Sequence, residues 1–145
     1  MLVVEDIILR EITTILMPIL QMYGIYIIAH GAASPGGGFA GGSVLGLSMM
    51  LYTLVLGRDK SLKKVPPKVT SLLVSFGPLW YASLGFIGII GGVNYLTNKG
   101  AGVPLGTPGN LFSSGLIAII TVGVGLKVAS TMLSLFHILS EEAEE

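Results

Sequence analysis

Apolar residues fall along the chain in four long blocks, broken by short stretches rich in glycine, proline or lysine. The blocks occupy about 12–29, 39–56, 69–96 and 111–139. A helix needs roughly 20 residues to cross the hydrocarbon core of a bilayer, and each block approaches or exceeds that length. The two-residue alternation of a membrane β-barrel is absent from them. The pattern predicts an all-α integral membrane protein with four transmembrane helices and short loops. One membrane domain over residues 1–145 is expected, ending in an acidic tail at 140–145. The chain opens Met1-Leu2-Val3-Val4-Glu5-Asp6, acidic where a secretory signal carries basic residues, so the first block is expected to remain as a span.

Charge is confined to the breaks and the ends. Residues 57–68 hold Arg58, Lys60, Lys63, Lys64 and Lys68, five of the eight basic residues. By the positive-inside rule that loop faces the cytoplasm. Four spans then place both termini on the same side, where Arg10 adds to the inner count, while the 97–110 loop offers only Lys99. The expected location is the cell membrane, multi-pass, with both termini and the 57–68 loop cytoplasmic. Glu141, Glu142, Glu144 and Glu145 read as a solvated end.

Charged residues make up 11% of the 145, against about 25% in a soluble domain. The apolar fraction of 52% is only modestly high, so the scarcity of charge is what argues for a lipid environment. A net charge of zero removes the footprint of a nucleic-acid partner. Cysteine is absent and the only histidines are His30 and His137, which excludes disulfides, thiolate chemistry, iron–sulfur clusters and tetrahedral zinc. No catalytic, cofactor-binding or metal-binding residue is expected on this chain.

Few residues remain to carry chemistry. Lys127 is the one charged side chain deep in a block, 16 residues after Leu111 and 12 before Leu139, or about 24 Å and 18 Å of helix. A helix starting nearer Leu116 would bring it closer to the middle. A central lysine is costly and usually faces a bundle interior or water. Two readings stay open: a place in an ion or proton path, and a structural pairing with a carboxylate from another chain. His30, at the outer end of the first block, is a second ion-path candidate, or else a helix-end residue bonded to the adjacent turn. His137 reads as a helix-end residue favoured by the dipole, and Trp80, Tyr81, Tyr23 and Tyr26 as packing residues.

Gly36-Gly37-Gly38-Phe39-Ala40-Gly41 formally matches the dinucleotide fingerprint G-x-G-x-x-G. That fingerprint has meaning only after a strand and within a βαβ unit, and here a membrane helix precedes it. The structural reading is stronger: Ser34-Pro35 breaks the first helix, and the glycines allow positive φ and close backbone approach. Gly42 and Gly46, and Gly88 and Gly92, form G-x-x-x-G steps that suit close helix packing. Pro18 and Pro78 fall inside spans, where each frees a carbonyl.

The strings Met17-Pro18-Ile19-Leu20, Tyr23-Gly24-Ile25-Tyr26, His30-Gly31 and Ser34-Pro35-Gly36-Gly37-Gly38-Phe39-Ala40-Gly41-Gly42 together resemble the B subunit of Mrp-type (Mnh-type) sodium/proton antiporters. The same module is similar to a subunit of archaeal membrane-bound hydrogenases and sulfane reductase complexes. Pro108-Gly109-Asn110-Leu111-Phe112-Ser113-Ser114-Gly115 and Val124-Gly125-Leu126-Lys127-Val128-Ala129 extend the likeness over most of the chain. The resemblance implies a non-catalytic subunit of a large membrane assembly, with sodium ions and protons as transported species. Its partners would be other membrane subunits, larger ones carrying the principal proton channels and small ones the sodium-linked part. One departure from the family pattern is the lack of an acidic residue just before the fourth span. From another class, a stand-alone homo-oligomeric channel or carrier is disfavoured by the absence of paired intramembrane acids. A membrane enzyme is weaker still, for want of a nucleophile, base and metal constellation.

Overall fold

The computed structural model describes residues 7–31, 33, 36–97, 106 and 114–142. They form five helices: α1 (Ile7–Ala29), α2 (Gly37–Leu56), α3 (Arg58–Lys64), α4 (Pro67–Ile90) and α5 (Leu116–Glu142). No strand occurs among the described residues. α1, α2, α4 and α5 are each long and apolar enough to cross a membrane, so the fold is an all-α membrane architecture of four spans.

The helix ends differ from the hydropathy blocks for identifiable reasons. α1 begins at Ile7, ahead of the block, because Arg10 and Glu11 interrupt the apolar run without interrupting the backbone ladder. Both are exposed near the helix end, where long side chains reach water. α4 stops at Ile90, although the apolar run continues to 96. Gly91 and Gly92 turn the chain, Gly92 at φ 76°, and the Val93 amide donates to the Gly88 carbonyl at 3.0 Å. The Leu96 amide then reaches the Gly85 carbonyl at 3.3 Å, so Val93, Tyr95 and Leu96 lie back along α4 instead of lengthening it. α5 starts at Leu116 because Ser114 and Gly115 form a turn, Gly115 at φ 57°. Its last turn absorbs residues 140–142 of the expected acidic tail. The 57–68 loop is not simply solvated: it contains α3, a seven-residue helix whose Ser61 is fully buried. Pro67 at the first position of α4 suits a helix start, where its missing amide costs nothing.

The long helices pack in the order α1, α2, α5, α4, with a lesser contact between α1 and α5. α2 and α5 therefore sit centrally and α1 and α4 at the flanks. Only 22–33% of the residues in each apolar window are buried inside the chain. Ile8, Ile15, Met22, Leu72, Leu79 and Ile90 are among the large apolar side chains left on the outside. Most of the apolar surface thus requires lipid or other protein to cover it.

Candidate functional site

The glycine string lies at the centre of the packing. Gly36 caps α2 at φ 101° and Gly37 follows at φ 39°, conformations that side chains other than glycine rarely adopt. One turn on, α2 faces two neighbours with bare backbone. A Cβ at Gly41 would stand 2.5 Å from Ile28 Cγ1 and 2.7 Å from the Gly24 carbonyl oxygen, so this position is the seat of α1. A Cβ at Gly42 would stand 2.5 Å from the Gly125 carbonyl oxygen, and one at Gly38 would collide with the Thr121 carbonyl, so that edge is the seat of α5. Gly46 continues the α5 edge against Met132 and Ala129. Phe39 points away, 65% exposed. Ser34 and Pro35 lie outside the described residues. Pro18 lies inside α1, exposed.

The other expected step is overturned. Gly92 lies beyond the end of α4, and Gly88 receives the Asn94 carbonyl while Gly85 receives the Tyr95 ring. Gly85 and Gly88 accommodate the chain's own return segment, not another helix. Tyr95 completes the fit by donating its hydroxyl to the Ala82 carbonyl at 3.2 Å and meeting Phe86 edge-on at 5.8 Å.

Lys127 sits 11 residues after Leu116 and 14 before Glu141, about 17 Å and 21 Å along α5, so it is close to the middle of the span. It lies at the seam with α4. Gly77 of α4 lacks a side chain where the Cβ and Cγ of Lys127 pass, and any larger residue there would clash with that stem. Lys127 is half-buried, and its ammonium has no hydrogen-bond or ion-pair partner among the described residues. A lysine at such depth costs on the order of 3 kcal/mol on insertion scales. One turn away Trp80 fills the space over Gly123 and donates Nε1–H to the Ile119 carbonyl at 3.2 Å, tying the same two helices together.

His30 is not part of that environment. It follows the last residue of α1, its ring 4.1 Å from that of Tyr26. Nδ1 lies 3.0 Å from the Tyr26 carbonyl oxygen, which only accepts, so Nδ1 carries the proton in this bond. Neighbouring Gly31 is level with Thr121, six residues or about 9 Å along α5 from Lys127. The two ion-path candidates therefore belong to different places in the fold.

The opposite end holds a polar cluster that the pattern of residues did not announce. Thr53 at the end of α2 and Ser61 of α3 are fully buried and joined at 2.7 Å, and Ser61 Oγ lies 3.4 Å from Nε2 of His137 in α5. The Met49 carbonyl, 2.8 Å from Thr53 Oγ1, only accepts and takes the Thr53 proton, so Ser61 donates to Thr53 and Nε2–H of His137 donates to Ser61, each proton being used once. His137 is 8% exposed, not a solvated helix-end residue. Beside the cluster Arg58 Nη2 donates to Glu141 Oε2 at 2.8 Å, and Lys64 lies over the Tyr52 ring at 4.7 Å. Seventy-six positions separate Ser61 from His137, so no local signal in the sequence joins them.

A cavity of about 130 Å³ opens where all four long helices contribute, with Gln21, Met49, Thr70 and Ser130 among its walls. Its hydroxyls are used locally: Thr70 donates to the Pro67 carbonyl and Ser130 to the Lys127 carbonyl, each at 2.9 Å. Gln21 makes a long contact of 3.6 Å to the Met49 sulfur. These groups do not converge on a point in the manner of an ion-binding shell. Among the described residues no three His, Asp or Glu side chains gather as a metal site.

Four apolar helices poor in charge, three of them joined backbone to backbone through glycine, define a multi-pass membrane protein. The family of domains related to the MnhB subunit of Na+/H+ antiporters matches residues 8–134, and the chain belongs to it. Similar proteins include the Na+/H+ antiporter B subunit of Alkalihalophilus pseudofirmus, 33% identical over 94 residues, which is 64% of this chain and 64% of that protein. An uncharacterized protein of Methanocaldococcus jannaschii is 30% identical over 123 residues, 82% of this chain but 46% of that protein. A putative antiporter subunit mnhB2 of Staphylococcus haemolyticus is 26% identical over 136 residues, 94% of this chain and 95% of the relative. The match thus spans less than two thirds of the first two relatives and nearly all of the third.

Proposed function

We propose that the chain is a non-catalytic membrane subunit of a multisubunit complex that exchanges sodium ions and protons. The family match over residues 8–134 carries this reading. The packing supports it: a chain that buries only 22–33% of each span window has most of its apolar surface free for other subunits. Lys127, deep in α5, and His30, at the end of α1, remain the ion-path candidates of this reading. The lysine-rich segment 57–68 faces the cytoplasm.

Purification of the tagged chain from its native membrane in mild detergent tests the assignment. Larger antiporter subunits are expected in the same particle, and membrane vesicles lacking the chain are expected to lose sodium-dependent proton movement. Recovery of the chain alone as a stable homo-oligomer would overturn the reading. Recovery with iron–sulfur or nickel subunits would overturn the plain antiporter in favour of a redox-driven pump built on the same module.

A further inference from the structure

Lys127 and Tyr81 mark a surface that the described residues leave uncompleted. The eight acidic residues are Glu5, Asp6, Glu11, Asp59, Glu141, Glu142, Glu144 and Glu145. None lies in the middle of a span. Along α5 the first carboxylate after Lys127 is Glu141, about 21 Å away, and Asp59 belongs to the same end of the molecule, just beyond α2. Glu11 is far along α1, since Ile28 of that helix packs level with Gly125 and Glu11 lies 17 residues, about 26 Å, before it. A lysine side chain reaches roughly 6 Å, too little to bring its head from mid-span to either interface.

The described residues do not enclose the lysine either. It is half-buried at the α4–α5 seam, with its stem held against Gly77. Tyr81 stands one turn beyond Gly77, on the same side of α4, because residues four apart share a helix face. It is 43% exposed, and its hydroxyl has no hydrogen-bond partner among the described residues. It lies nine residues before Ile90 and 14 after Pro67, about 14 Å and 21 Å, so it is no more an interfacial residue than Lys127. Two hydrogen-bonding groups at mid-depth on one seam are incompatible with a covering of acyl chains, which offer neither countercharge nor acceptor.

We infer that the α4–α5 seam docks a transmembrane helix of another subunit that carries a carboxylate at mid-span, accepting from the Lys127 ammonium and within reach of the Tyr81 hydroxyl. The occupant is identified by charge complementarity: a cation held in hydrocarbon requires an anion, and the described residues supply none nearby. A helix with an aspartate or glutamate among apolar residues meets that requirement, and the bare backbone of Gly77 gives the lysine stem its place at the seam. This inference rests on the chain being one subunit of a larger complex.

A hydrophobic carbodiimide applied to the intact complex tests it. The reagent activates a buried carboxylate, and the Lys127 amine in contact displaces the resulting urea leaving group to form an amide bond. The expected result is a cross-linked peptide, found by mass spectrometry, between Lys127 and an acid within a membrane helix of a different subunit. Lys127→Arg is expected to retain assembly without the cross-link, and Lys127→Met to reduce recovery of the partner at least severalfold. A cross-link only to this chain or to a second copy would overturn the inference. So would unchanged partner recovery with Lys127→Met together with no cross-link in the wild type. If no partner subunit is recovered even with the wild type, it is the subunit reading itself that fails.

Discussion

Ser61 is the residue on which the lysine-rich end of the protein closes. Fully buried, it stands between Thr53 and His137 and links α3 to both central helices. Removing its hydroxyl leaves Thr53 its bond to the Met49 carbonyl at 2.8 Å but strips His137 Nε2 of its partner. A buried polar atom left unpaired costs about 1–3 kcal/mol, whereas removing both members of a pair costs much less. Ser61→Ala is therefore expected to lower the thermal midpoint of the purified protein, and the double change with His137→Leu to lower it by less than the two single changes added together. Strict additivity, read in a double-mutant cycle, would show that the 3.4 Å contact carries no energy. Nothing in the sequence pointed to this cluster. A serine in a basic loop and a histidine near a helix end are ordinary surface residues until the fold brings them together. Lys127, by contrast, was legible at once, because charge inside an apolar block is visible without knowledge of contacts.

At the scale of helices, close approach is decided by which glycine faces backbone and which faces side chain. Gly42 meets the Gly125 carbonyl and Cα, atoms that move only if α5 moves. Gly46, one turn on, meets Met132 Cβ at 3.0 Å and the Ala129 carbonyl at 3.3 Å, with the flexible methionine sulfur alongside. Gly42→Ala is expected to destabilise by about 1–3 kcal/mol, the usual range for overpacking, and Gly46→Ala by clearly less. Unfolding curves of the two variants in the same detergent check the order, and an equal or reversed loss would mean that α2 and α5 do not touch backbone to backbone here. Spacing alone identified Gly42 and Gly46 as a packing step. The same spacing misread Gly88 and Gly92, because it does not reveal that the chain turns at Gly91 and lays Asn94 and Tyr95 into the gap. Hydropathy erred at the same place: Val93, Tyr95 and Leu96 are apolar because they cover α4, and a window average does not separate covering a helix from continuing it.

For the whole molecule, the distribution of charge decides how the four spans sit in the bilayer. The segment between α2 and α4 carries Arg58, Lys60, Lys63, Lys64 and Lys68, while the long connection from α4 to α5 carries Lys99 alone. Translocating five cations against one is the disfavoured arrangement, so the α3 side is expected to remain cytoplasmic. The fold accords with a fixed basic face: α3 is held by the buried Ser61 cluster and the Arg58–Glu141 pair, which keep the exposed Lys60 and Lys63 on one end of the molecule. The absence of cysteine makes the orientation directly measurable, since any introduced thiol is the only one in the chain. Lys63→Cys and Asn94→Cys replace exposed residues at the two ends. A membrane-impermeant maleimide added to right-side-out vesicles is expected to label the thiol at 94 and spare that at 63, with the pattern reversed in inverted vesicles. Labelling at 63 from the outside would place the lysine-rich end away from the cytoplasm and move His30 from the outer to the inner side of the membrane.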